Sequence, residues 1–298
     1  MEWENTPVSA NIEDRRGEGG GMSFAGGAGG LGLGTVLVLT LIGYFTGIDP
    51  RVLIGGAEIV TGAGRQTAVQ SPASYPGRPA AGRDDPMKAF VAHVLGETEA
   101  VWAAVLPAQT GVAYVDATLV LYDGATESGC GGARAQMGPF YCPLDKKVYL
   151  DLSFFRDMRA RYGGGGDFAY AYVIAHEIGH HVQDLLGVLD KVQAAEQGVS
   201  QTRRNALSVR VELMADCLAG VWAANANEKW KILDPGDVEK AVATAEAIGD
   251  DRLQTAAQGY AVPDSFTHGS SEQRVRWFNT GLKNGTVDSC NTFAAAKL

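Results

Sequence analysis

The sequence predicts an α+β protein: a long helix, a small sheet, a second helix and a helical C-terminal half, following a single N-terminal transmembrane helix. Three observations carry this. Apolar residues alternate as in strands between Gly111 and Phe155. They recur at helical spacing from Phe168 to Leu186 and again beyond residue 199. Leu31 to Ile48 is apolar throughout.

In chain order, residues 1–30 are polar and then Gly-rich, which predicts disorder. No charged residue occurs from Gly19 to Ile48, and 31–48 (LGLGTVLVLTLIGYFTGI) spans about one hydrocarbon thickness at helical rise. A secretory signal would start earlier and end in a small-x-small site, which Gly47-Ile48-Asp49-Pro50 does not offer. A single membrane anchor is expected there, and residues 49–85, rich in Gly, Ala, Pro and Ser, read as a flexible linker.

The globular domain is expected over 86–298. Asp85-Pro86 is an N-cap followed by proline at the first helical position. Phe90, Val91, Val94, Leu95, Val101, Trp102 and Val105 mark a long helix ended by Pro107. Strands follow at Tyr114–Tyr122, Pro139–Cys142 and Val148–Leu152, with a glycine-rich loop over 123–138. Gly163–Gly166 breaks the chain before the next helix, which Gly187 stops. Further helices are expected at about 199–226, 235–249 and 270–283.

The chemistry sits in FAYAYVIAHEIGHHVQDLLG, where His176-Glu177-Ile178-Gly179-His180 reads H-E-x-x-H. Residues four apart share a helical face, so His176 and His180 can present two imidazoles to one metal ion. Glu177 reaches the same place from the side and can act on a water there. His181 projects off that face and reads as a packing residue, and His93 carries no partner signature.

Two histidines do not complete a catalytic zinc site, which takes three protein ligands and an open position. Glu212 and Asp216 lie four apart in VELMADC, flanked by apolar residues. One carboxylate can bind the ion while the other accepts the free N–H of a ligand histidine; spacing does not say which. His268 precedes a helix capped by Ser270 or Ser271 and can donate to an oxyanion or serve the loop. Arg274 is a candidate partner for an acid near the site.

A net charge of −9, with no basic stripe interleaved with aromatics, argues against nucleic acid. The hydrophobic share of 46% is ample for a core. Four cysteines permit three pairings. Cys130–Cys142 is favoured as a local closure and Cys217–Cys290 as a clamp on the C-terminal tail. An even count without a C-x-x-C pair suggests an oxidising compartment, and so a catalytic domain on the extracytoplasmic side of the cytoplasmic membrane.

The segments GPFYCP (138–143), VYLDLSFF (148–155), HEIGHHVQ (176–183), ELMADCLAG (212–220) and FTHGSSEQRVRWF (266–278) resemble the bacterial neutral zinc metallopeptidase family. H-E-x-x-H followed by Glu212-x-x-x-Asp216 resembles the gluzincin pattern. The resemblance implies a zincin-like domain, one Zn2+ per chain held by His176, His180 and Glu212, and Asp216 behind a ligand histidine. His268 to Arg274 also looks similar to an H-P-x-x-x-x-R segment of membrane-associated metallopeptidases, with Gly269 in place of the proline.

The expected function is a membrane-anchored zinc metalloendopeptidase acting on a peptide or protein substrate, with Glu177 as general base and His268 as a candidate catalytic residue. Two alternatives share parts of this evidence. One is an interaction module with a structural zinc; the other is a zinc amidase acting on cell-wall peptides.

Overall fold

The computed structural model describes residues 1–17, 85–162 and 166–298. The expected anchor at 31–48 and almost all of the linker lie outside the described residues. Asp85 does what the sequence asks of it: its carboxylate accepts from the N–H groups of Met87 and Lys88 and starts α1 (Pro86–Thr110). The helix runs one turn past the expected stop at Pro107. Proline there removes a single hydrogen bond, and the left-handed cap at Gly111 (φ 74°) closes the helix by donating to the Pro107 carbonyl.

Among the described residues α1 alone is long and apolar enough to cross a membrane. It is the central core helix instead: Phe90, Val94, Leu95, Trp102 and Leu106 are buried against the rest of the body. Trp102 and Leu106 are fully enclosed, each contributing about 1.5–3 kcal/mol of burial.

The expectation of disorder fails for residues 1–17. Ile12–Asp14 forms β1, an edge strand pairing parallel with β2 (Thr118–Tyr122) in the register Ile12–Leu119, Glu13–Val120 and Asp14–Leu121. β2 in turn pairs parallel with β6 (Lys147–Asp151), and β5 (Phe140–Cys142) closes the sheet antiparallel to β6. The order is β1-β2-β6-β5. Only Thr118–Tyr122 of the expected first strand is a strand, and the expected loop over 123–138 contains a hairpin of β3 (Ala125–Ser128) and β4 (Gly131–Arg134).

A short helix α2 (Ser153–Tyr162) leads to α3 (Asp167–Leu185), which carries the H-E-x-x-H motif. Gly187, left-handed at φ 67°, lets the chain turn into α4 (Val188–Ala195), which periodicity did not separate from its neighbours. α5 (Gln201–Trp230) is a 30-residue helix and lies against α3 and α1. α6 (Asp237–Ala247), α7 (Asp250–Gln258) and α8 (Ser271–Asn284) complete the body.

Small residues set the helix spacing. A Cβ at Gly179 would lie 3.0 Å from the Ala215 carbonyl oxygen, so α3 and α5 approach closely beside the metal motif. A Cβ at Gly281 would overlap the Cys217 carbonyl, so α8 lies backbone to backbone on α5. Cys217 bonds to Cys290 and Cys130 to Cys142, the pairing favoured from sequence.

Candidate metal centre

α3 and α5 cross where His176, His180 and Glu212 face one another. Ligand atoms of the three lie within 4.8 Å of each other. Glu212 Oε2 is 3.2 Å from His176 Nε2, and Oε1 is 3.6 Å from His180 Nε2. Both imidazoles turn the same nitrogen inward because their other nitrogen is engaged. His176 Nδ1 donates to Asp216 Oδ1 at 2.9 Å, and His180 Nδ1 to Gln183 Oε1 at 2.9 Å. Each contact takes up Nδ1 and leaves Nε2 facing the common centre.

Gln183 is itself anchored, donating from Nε2 to the Val211 carbonyl at 2.7 Å, and is fully buried. Sequence reasoning missed it. The available signal was its position, one turn after His180 on the same helix.

Asp216 is enclosed in a polar knot. Tyr172 donates its hydroxyl to Oδ1 at 2.6 Å, and Arg274 donates to both carboxylate oxygens at 2.9 Å. Arg274 also donates to the Tyr172 oxygen at 3.2 Å. The Arg274 pairing guessed from sequence is thus with Asp216, on the far side of His176 from Glu212. Tyr172, one turn before His176, was not foreseen.

Burial pulls the His176 imidazole down, but the Asp216 and Glu212 carboxylates outweigh it and raise it to about 10. His180 is likewise raised, chiefly by Glu212 against the opposing effect of burial. Burial opposes the ionised form of Glu212, yet His180 and His176 hold its carboxyl well below the usual range; Arg274 and His176 do the same for Asp216. Two imidazoles and a carboxylate crowded around one point call for a cation. Two nitrogens and one oxygen are a donor set that suits zinc.

Glu177 is buried on α3 beside these ligands, close enough for its charge to act on His180. His268 stands on the loop before α8. Asp250, at the start of α7, accepts from the backbone N–H groups of Thr267, His268 and Gly269 and lies 3.2 Å from His268 Nδ1. That hydrogen bond raises the His268 pKa. Gly269 has φ 93°, a conformation closed to proline, which explains the departure noted in the motif. Ser270, with Gln273, forms the capping box of α8.

His181 is a structural residue, buried between the Val115 carbonyl (2.6 Å) and the Tyr141 hydroxyl (3.0 Å), and burial lowers its pKa. Tyr141 also donates to Asp184, so β5 is tied to α3 alongside the candidate site. His93 accepts no role in the centre; it bonds to Thr6 of the N-terminal segment.

A family model described as "Putative neutral zinc metallopeptidase" matches residues 1–293. The chain is 43% identical over 300 residues to Uncharacterized protein YpfJ of Escherichia coli, covering 98% of this chain and 99% of that one. An uncharacterized protein of Mycobacterium tuberculosis is 43% identical over 210 residues, covering 67% of this chain and 68% of its own. No solved structure matches.

Proposed function

We propose, from the premise that this chain belongs to the neutral zinc metallopeptidase family, that it is a zinc-dependent endopeptidase of gluzincin type. The observation that carries the reading is the convergence of His176 Nε2, His180 Nε2 and Glu212 on one point, with Glu177 beside it. One Zn2+ per chain bound there would supply Lewis acidity, polarising the scissile carbonyl and acidifying a water.

The residues divide the remaining work. Glu177 takes the proton of the attacking water and returns it to the leaving amine. Asp216 keeps His176 in the tautomer that offers Nε2, and Gln183 does the same for His180. His268, held by Asp250 at Nδ1, has Nε2 left to donate to the oxyanion. β5 is an edge strand beside α3 and can take an extended substrate as an added strand. The two disulfides suit an oxidising compartment, which supports a catalytic domain outside the cytoplasm.

The test is zinc content alongside casein hydrolysis for the wild type and Glu177→Gln. We expect one zinc in each and a loss of turnover of roughly 10²–10⁴-fold in the variant. Full turnover in the variant excludes this mechanism. Zinc in both with no cleavage by either points instead to a structural site.

A further inference from the structure

We propose that the edge strand β5 selects an extended, apolar segment of polypeptide, and that Tyr141 is the positioning residue that sets this segment over the metal ligands. For its chemistry this rests on the peptidase reading; the edge and its anchor are read independently of it.

β5 has one neighbour in the sheet, β6, so its other side offers backbone groups to a partner. The window is short. Pro139 and Pro143 bracket Phe140–Cys142, and proline has no N–H to lend to a ladder. A joining strand therefore finds N–H groups within those three residues and none at either proline. Just beyond the prolines, Met137 is 61% and Leu144 78% exposed. Isolated exposed apolar side chains are ordinary on a protein surface. These two flank one short edge, where an apolar peptide covers them and a polar one gains nothing.

The pleat sends Tyr141 to the helix side of the sheet, into the main core, and Phe140 and Cys142 to the opposite side with Tyr149. The Tyr141 hydroxyl reaches α3 between Asp184 Oδ2, to which it donates at 2.8 Å, and His181 Nδ1 at 3.0 Å. His181 directly follows the ligand His180, and Asp184 lies one turn beyond that ligand. His181 is itself fixed: its Nε2 lies 2.6 Å from the Val115 carbonyl oxygen, and its ring meets Tyr114 edge-on at 5.7 Å. The middle residue of the edge strand is thus keyed to the turn of α3 that begins with a ligand.

The other ties of β5 are its ladder to β6 and the Cys130–Cys142 bond, and neither refers to α3. The height of the edge over the ligands is therefore set through Tyr141. The ligands do not depend on it in return, since Asp216 orients His176 and Gln183 orients His180. Loss of the hydroxyl should loosen the hold on a peptide and leave the metal in place.

The experiment uses the full chain and two quenched-fluorescence peptides that share one central bond, flanked by Leu and Val in one and by Ser and Gly in the other. We expect Tyr141→Phe to raise KM for the apolar peptide about tenfold or more, as for a lost hydrogen bond to a charged group, with kcat and zinc content far less changed. Asp184→Ala should do the same without touching the buried ring, and the double variant should do no more than either alone. Asp184→Asn, which keeps an acceptor, should recover most of the loss. An unchanged KM in both single variants, or additive effects in the double one, overturns the positioning role. Equal KM for the two peptides overturns the apolar selection. Binding of a dye-labelled apolar peptide to Glu177→Gln, followed by anisotropy, separates this from the peptidase reading. Binding that weakens with Tyr141→Phe, without cleavage by the wild type, removes the peptidase and leaves the edge site standing. No binding overturns the edge site.

Discussion

Asp216→Asn separates two duties of one side chain. It leaves the Arg274 guanidinium, 4% exposed, without its countercharge, and it weakens the hydrogen bond that orients His176. Breaking a buried pair from one side costs about 3–5 kcal/mol, and removing such an orienting partner costs about 10–100-fold in metal affinity. Thermal unfolding and zinc titration should show both losses together. Glu97 makes a prediction of opposite sign. It is fully buried in α1, and burial raises its carboxyl to about 8. Folding then favours the protonated acid, so stability is full below the unfolded pKa near 4.5 and is lost as pH rises towards 8. Glu97→Gln should therefore raise the unfolding temperature at pH 8 and leave it nearly unchanged at pH 4.5. His176, Glu177 and His180 were legible in sequence because one helical face is a local property. Tyr172 and Gln183 were not, and Arg274 was legible only as a partner for some acid near the site. Their partners lie on another helix or act only once the tautomers are fixed.

At the scale of elements, the crossings of α5 with α3 and α8 rest on the absence of side chains. Gly281→Ala would drive a methyl into the Cys217 carbonyl, and since that neighbour is backbone the two helices must separate. We expect a loss of at least about 1–3 kcal/mol, as for other overpacked cores, read from denaturant unfolding. Because α5 carries Glu212, zinc affinity should fall in parallel. The α+β class, the disulfide pairing and the helices bearing the site were readable, since each rests on periodicity or on cysteine position. β1 was not: MEWENTPVSANIEDRRG is polar and short, and it becomes a strand because β2 and Glu99 supply its partners. The β3–β4 hairpin was hidden for a related reason, its glycines masking any alternation.

For the whole molecule, the Cys217–Cys290 bond closes a loop of 73 residues between the ligand-bearing helix and the C-terminal tail. On loop entropy alone such a closure stabilises by about 4 kcal/mol. Reduction, or Cys290→Ser, should lower the unfolding temperature and, through α5, loosen the metal site, as zinc release on heating would show. The parallel pairing of β1 with β2 has a different consequence, one of timing. Ile12 is synthesised 107 residues before its partner Leu119 (119 − 12), which at about 5–20 residues per second is roughly 5–20 s. The apolar stretch 31–48 leaves the ribosome within that interval, while β1 still has no partner. The newborn first strand must therefore wait, unpaired, until β2 has been made.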